Sequence, residues 1–318
     1  MMKNLITVTI AERQALSSDT IALTLVKPDR SPLPKFDAGA HIDVHVNDHT
    51  IRQYSLCSSP SETGFYRLGI LKDPKSRGGS IAIHDELQAG DTITITEPNN
   101  LFPLDMTAEH SILAGGGIGI TPMVAMAHSL KAAGKSFDLH YCVRAHENVA
   151  FLDELQREFG DALKLHCDDL DDAQRLNPAV DFGEAAPNTH LYTCGPSGFM
   201  DWVMDSAREL GFDDSNIHCE YFNVEIDSSG EAFTVIAEQS GKTIPVSESQ
   251  TIVQALADAG IKVEVSCEQG ICGTCICDVI EGVPDHRDQF LTDEEKADND
   301  QIAVCCSRSK SSTLILDI

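Results

Sequence analysis

The chain has 318 residues, 50 of them acidic against 23 lysines and arginines, for a formal net charge of -27. That length predicts two or three domains, each able to bury its own core, and that charge excludes a nucleic-acid surface while favouring basic partners or a salty cytoplasm. Eleven cysteines in a long chain without a signal peptide point to a reducing, cytoplasmic compartment rather than a disulfide framework.

The N-terminal apolar segment is broken by Glu12 and Arg13, and the longest apolar run, 112–127, carries four glycines and a proline, so neither predicts a membrane span. Residues 1–105 read as all-β. Alternating apolar and polar residues at 21–25, 41–46, 65–70 and 92–95 predict short strands separated by turns, and strands in this number suggest a closed antiparallel barrel. Arg52-Gln53-Tyr54-Ser55 falls on a strand. Tyr54 can lie against a flat ring, Arg52 can meet a phosphate, and the Ser55 hydroxyl can hydrogen-bond a ring nitrogen. Arg77-Gly78-Gly79-Ser80 joins a guanidinium, exposed backbone N–H groups and a hydroxyl at an expected helix start, which suits a phosphate.

From 106 to about 225 the period changes. A buried strand at 111–114, the bare loop Gly115-Gly116-Gly117-Ile118-Gly119 and a helix with Thr121 as N-cap and Pro122 at N1 are followed by strands at 137–143, 163–166, 190–194 and 218–222. Strand alternating with helix predicts a parallel, doubly wound α/β sheet. The glycine loop and the second turn, Thr193-Cys194-Gly195-Pro196-Ser197, where Pro196 would be the first residue of a helix running to Gly211, fall at strand ends where a dinucleotide would approach. Asp168, Asp169, Asp171 and Asp172 follow the third strand; beside a ribose they would repel a 2'-phosphate and favour NADH, the alternative being an acidic surface loop.

Residues 227–232 read as a polar linker, and 233–318 as a compact α+β domain with strand 233–238, helix 251–259 and a capping box at Thr292. This domain holds Cys267, Cys272 and Cys275 in C-x4-C-x2-C spacing, with Cys305 after a gap of 29 residues. That is the plant-type arrangement for a [2Fe-2S] cluster, whereas structural zinc favours two short-spaced pairs. Gly270 and Gly273 would let the loop turn its N–H groups toward the sulfurs. Cys277 and Cys306 read as core residues.

The ordered set R-x-Y-S-L-C-S from Arg52, the Arg77–Ser80 stretch, A-G-G-G-I-G-I-T-P, Y-T-C-G-P and S-C-E-Q-G-I-C-G-T-C resembles the phthalate dioxygenase reductase family, which includes vanillate demethylase reductase subunits. The resemblance covers essentially the whole chain. It implies an FMN-binding barrel at 1–105, an NADH-binding domain at 106–226 and, after the linker, a β-grasp ferredoxin domain at 233–318. It further implies an enzyme, expected to be a monomer, that feeds electrons to a Rieske-type oxygenase. Carried over by position, it places Arg52, Tyr54 and Ser55 around the flavin, Arg77, Gly79 and Ser80 near its phosphate, and Phe222 close to its ring. Gly116, Gly117, Thr121, Cys194, Gly195 and Pro196 would meet the nicotinamide cofactor, and Cys267, Cys272, Cys275 and Cys305 would hold iron. Ser55, Cys194 and Phe222 are the flavin-proximal candidates, with no side chain expected to act as an essential acid or base. NADH yields two electrons and a [2Fe-2S] cluster takes one, so a flavin that passes them on singly belongs between them. A redox sensor or electron-storage protein is the other class considered, but it would need no hydride donor.

Overall fold

The computed structural model describes residues 4–47, 50–76, 78–170, 174–222 and 227–318. The chain divides into two units, Met1–Phe222 and Asn223–Ile318. No helix among the described residues is long and apolar enough to cross a membrane.

In the first unit the expected alternation becomes β2 (Thr20–Val26), β3 (His41–Asn47), β5 (Tyr66–Leu71) and β6 (Thr92–Thr96), joined by β4 (Thr50–Ser55). Residues read only as an interrupted apolar segment form a further long strand, β1 (Leu5–Ala15). Its first half pairs with β6 and its second half with β2, and the register shifts between Ile10 and Glu12 where the strand passes from one partner to the other. The polar second half lowered the strand signal, yet Val8 and Ile10 are fully buried. The antiparallel order is β4-β3-β6-β1-β2-β5, and an isolated bridge from Leu56 to Leu68 ties the two edges into a nearly closed barrel. Leu23, Leu25, Ile42, Val44, Leu68, Ile70 and Ile95 fill it with no exposed surface. Helix α1 (Gly79–Glu86) lies between β5 and β6.

The remainder of this unit is the expected parallel sheet. Its strands are β7 (His110–Gly116), β8 (Ser136–Val143), β9 (Leu163–Cys167), β10 (Thr189–Cys194) and β11 (Ile217–Glu220), in the order β11-β10-β7-β8-β9. The chain steps outward from β7 in one direction and then returns past it to β10, so the switch point lies between β7 and β10. Helix α2 (Ile120–Ala132) is buried almost throughout its first two turns, while α5 (Ser197–Glu209) packs Val203 and Ala207 against Ile112, Ala114 and Leu191 on the other face. Helices α3 (Leu152–Phe159) and α4 (Pro178–Asp181) complete the cover.

Two helix starts differ from expectation, α2 by two residues and α5 by one. Helix α2 begins at Ile120 with Gly119 in the N-cap position, so Thr121 is inside the first turn and its hydroxyl donates to the Ile118 carbonyl at 2.9 Å instead of capping. Helix α5 begins at Ser197 with Pro196 in the N-cap position rather than at N1. In both cases the preceding turn is tight enough to supply the entry itself.

His140 and His166 join β8 to β9 through an Nδ1 to Nε2 contact of 3.0 Å. Their rings are nearly coplanar, 14° apart with centroids at 5.3 Å, which is the spacing of an in-plane N–H···N hydrogen bond. Asp181 is close enough to make the trio a possible metal-ligand set, but two lone pairs aimed at one another across 3.0 Å describe a shared proton rather than a cation between them. His190 and His218 repeat the pairing, also at 3.0 Å.

The second unit is a β-grasp. Hairpin β12 (Phe233–Ala237) and β13 (Lys242–Val246) precedes α6 (Ile252–Asp258), and β18 (Thr313–Leu316) returns parallel to β12. β14 (Ile276–Glu281) and β16 (Gln301–Ala303) extend the sheet, with β15 (Pro284–Asp285) and β17 (Arg308–Ser309) forming a short ribbon. The capping box at Thr292 is present at the start of α7 (Asp293–Asp298), and Thr251 forms a second one on α6.

Candidate functional site

The carboxyl ends of β7 and β10 carry the two glycine turns, and the turns touch. A Cβ on Gly119 would stand 2.2 Å from the carbonyl oxygen of Cys194, and one on Gly195 would stand 3.0 Å from the Cα of Gly116. Only backbone fits between them, so the crevice at the switch point is walled by main-chain groups that a pyrophosphate can approach. Gly116, Gly117, Thr121, Cys194, Gly195 and Pro196 thus share one end of the sheet.

The barrel supplies the facing side. Thr121 packs so closely on Gly69 of β5 that a Cβ there would meet its methyl at 2.7 Å, and the Arg67 guanidinium lies 5.2 Å from the Phe151 ring centroid while it pairs with Glu154. On β4, Arg52, Gln53 and Tyr54 are half-buried and Ser55 is buried. Arg52 lies across Gly79, where a Cβ would come within 2.5 Å of its Cγ. The Ser80 hydroxyl accepts from the Asp73 amide at 3.3 Å in the first turn of α1. Arg52, Gly79 and Ser80 therefore form one polar corner at a helix N-terminus, of the kind that takes a terminal phosphate. Arg77 lies outside the described residues.

Glu220, which sequence reasoning did not single out, ends β11 beside Ser55. The Ser55 hydroxyl donates to its carboxylate at 3.4 Å. The residue keeps partial surface exposure yet is surrounded by protein, and desolvation pushes its carboxyl up to about 8, with Ser55 opposing. Cys194, with no exposed surface, has its thiol raised by burial first and by the nearby Glu220 second. The available signal was an acidic residue closing a strand directly before Tyr221-Phe222. Phe222 is half-buried against the main core of this unit.

Asp169 is committed to local structure: its carboxylate accepts the His146 amide at 3.1 Å. The Asp168 carbonyl takes Arg175 at 2.9 Å. Asp171 and Asp172 lie outside the described residues.

In the second unit the loop from Cys267 to Cys275 turns on Gly270 and Gly273, both at φ +69°, a backbone that disfavours any side chain. The amides of Gln269 and Ile271 point to the Cys267 sulfur at 3.3 and 3.5 Å, and the Gly270 amide points to the Cys305 sulfur. The Cys267 and Cys272 thiols hydrogen-bond each other, as do those of Cys275 and Cys305, and Cys272 also reaches Thr274 at 3.2 Å. These contacts hold Cys272 low, at about 5, and push its partner Cys267 up; Cys275 is likewise raised by Cys305. Four thiolates this close repel one another, so losing all four protons calls for a compensating cation, and the N–H donors favour sulfur-bound negative charge. The donor set and its amides fit an iron-sulfur cluster. Cys277 and Cys306 are buried in the core, with sulfurs 3.8 Å from the carbonyls of Cys275 and Ala303.

Comparison with known proteins agrees with this anatomy. Residues 7–102 match the oxidoreductase FAD-binding domain family and residues 235–310 the 2Fe-2S iron-sulfur cluster binding domain family. The chain is 48% identical over 319 residues to vanillate O-demethylase oxidoreductase of Pseudomonas sp., covering 99% of this chain and 100% of that one. It is 38% identical over 313 residues to phthalate dioxygenase reductase of Burkholderia cepacia, covering 97% and 96%. A solved phthalate dioxygenase reductase, described as a modular structure for electron transfer from pyridine nucleotides to [2Fe-2S], superposes with a TM-score of 0.79 at 37% identity over 99% of this chain and 98% of that one. The chain also matches 41% of an intact type IV self-sufficient cytochrome P450 monooxygenase, with a TM-score of 0.84 and 36% identity.

Proposed function

The chain belongs to the phthalate dioxygenase reductase family, and we propose that it is the NADH-dependent reductase of a Rieske-type oxygenase, acting through FMN and a plant-type [2Fe-2S] cluster. The observation that carries this reading is the meeting of the Cys194 turn with Ser55 and Glu220, which brings the nucleotide crevice against the flavin-type barrel in one unit.

In this reading the glycine turns at Gly116–Gly119 and Cys194–Pro196 bind the dinucleotide through backbone amides. Arg52, Gly79 and Ser80 hold the flavin phosphate, and a site built around a helix N-terminus suits the terminal phosphate of FMN. Tyr54 would hold the flavin ring by lying against it, and Ser55 would meet a ring nitrogen. The flavin supplies the exchange between a hydride and single electrons, so each NADH serves two passages to the cluster. Cys267, Cys272, Cys275 and Cys305 hold that cluster, and the amides of Gln269, Gly270 and Ile271 stabilise charge on its sulfur ligands. Whole-length identity of 48% to a vanillate O-demethylase oxidoreductase favours a demethylating oxygenase that acts on an aromatic ether as the partner.

The test is the purified protein's visible spectrum with acid extraction and chromatography of its flavin, followed by NADH-driven reduction of cytochrome c. Flavin and iron-sulfur bands, extracted FMN and NADH-dependent turnover are expected. A cluster that cycles with no NADH oxidation would instead make the chain a redox sensor, and extracted FAD would move the phosphate assignment.

A further inference from the structure

The segment that reads as a free polar linker is fastened to the cluster-bearing unit. Arg308, 1% exposed, aims its guanidinium at four backbone carbonyls: Nη1 donates to Ser228 at 2.6 Å and Gln250 at 2.8 Å, and Nη2 to Glu231 and Ser247 at 3.0 Å each. Its charged end lies 5.2 Å from the Phe233 ring centroid. Arg287, held by Asp285 through Nε at 2.9 Å and Nη2 at 2.7 Å, turns Nη1 to the Ser229 carbonyl at 2.8 Å and also to that of Asp227. The carbonyls of 227, 228, 229 and 231 therefore all accept from two arginines, and the Gly230 amide donates to Glu248 at 3.0 Å. Gly230 itself admits no side chain, since a Cβ there would stand 2.8 Å from Arg308 Nε.

Such a device is unnecessary for a spacer, whose backbone water would solvate. Arg308 lies three residues beyond Cys305, and the Arg287 amide is held by Ser307 at 3.1 Å, so the strap is anchored on the segment that carries the fourth thiol. We infer that Arg287 and Arg308 are positioning residues for flavin-to-cluster electron transfer: they clamp residues 227–231 onto the second unit and so shorten the chain that joins the two redox centres. The inference rests on the reductase reading above. The chain between Phe222 and Asp227 counts four residues, and releasing 227–231 adds five. Once a tether exceeds the span of its two sites, the concentration of one partner around the other falls roughly as the −3/2 power of its length, which for four residues against nine sets a scale of about threefold.

Stopped-flow reduction by NADH of the full holoprotein separates flavin bleaching from cluster bleaching, and hydrogen exchange of 227–231 reports whether the strap is open. Arg287→Gln is expected to retain both spectra and the wild-type rate of flavin reduction, to open the strap, and to slow flavin-to-cluster transfer about threefold. Arg308→Lys should act the same way; if that buried change costs the cluster, Arg287→Gln decides alone. Five Gly/Ser residues inserted before Asp227 should give the same slowing with the strap still protected. An unchanged flavin-to-cluster rate in Arg287→Gln, with the strap open, overturns the proposal, as does a strap that stays closed in that variant. Wild-type protein lacking flavin or cluster bands sinks the reductase reading first, and the inference with it.

Discussion

The hydroxyl of Ser55, the last residue of β4, donates to the carboxylate of Glu220, the last residue of β11, across 3.4 Å. One residue comes from the barrel and the other from the parallel sheet, and the pair marks where the two layers of the first unit share a polar site.

Desolvation lifts the Glu220 carboxyl to about 8, with the Ser55 hydroxyl opposing. Above that value the carboxylate favours hydration, which on the proposed reading, with Ser55 beside the flavin, would bring water toward the reacting site. The NADH-to-flavin rate should fall severalfold between pH 7 and 9 with an inflection near 8, and Glu220→Gln should remove the inflection while retaining flavin. A wild-type profile that is flat across this range would remove Glu220 from the reacting site.

Cys272→Ser should lose the iron-sulfur absorbance yet keep flavin and NADH-to-ferricyanide activity, because hydride acceptance belongs to the first unit. Cys305→Ser should lose the cluster and Cys306→Ser should not. Iron content per chain checks both, and the reverse outcome for the last two moves the fourth ligand by one residue.

Acid should loosen the first unit through its paired histidines. Burial lowers His140 to about 4, with His166 adding to it, and burial also lowers His166 and His218. A histidine with a depressed folded pKa stabilises the fold above its unfolded value near 6.5, and that stability is lost as pH falls toward the folded value. For His140 the loss is up to about 3 kcal/mol, less where its partner shares the first proton. Glu220 has the opposite sign, stabilising most below about 4.5 and fading toward 8. Between pH 6.5 and 4.5 the two act against each other, so the histidine contribution is read by difference: relative to the wild type, His140→Gln should make the urea midpoint fall less, or rise more, on going from pH 6.5 to 4.5, and an unchanged pH dependence contradicts the assignment.

NADH should outperform NADPH by about tenfold in kcat/KM, the scale of one unfavourable charge contact of roughly 1.4 kcal/mol. Asp169 is already engaged by the His146 amide, so Asp168→Asn is the more telling substitution and should narrow the preference. Equal values for the two nucleotides in the wild type place the acidic loop away from the ribose.

Transfer to the oxygenase should slow as salt rises from about 50 to 500 mM, because attraction between exposed charges fades beyond roughly 10 Å at 0.1 M salt. From Glu231 to the C-terminus, 16 acidic residues stand against 6 basic ones, a net of -10. Flavin reduction by NADH should change much less. Salt-independent inter-protein transfer, measured by stopped flow, would assign docking to apolar contact.

Local chemistry alone determined a good deal. Period-2 alternation marked four barrel strands, strand alternating with helix marked the doubly wound sheet, and C-x4-C-x2-C with a distant Cys305 marked the cluster loop, because each signal is carried by neighbours in the chain. Strand β1 was lost because it changes partners midway, and its polar second half carries no alternation of its own. The starts of α2 and α5 shifted by two residues and one because packing between Gly119 and Cys194 sets those turns rather than capping chemistry. Glu220 reads as one acid among 50, and only folding places it under Ser55, where desolvation alters its proton affinity. Asp227 to Glu231 are likewise polar letters with no apolar period. It is the guanidinium groups of Arg287 and Arg308, 58 or more residues distant, that turn them from spacer into strap, since a charge taken out of water must find its acceptors wherever the fold presents bare carbonyls.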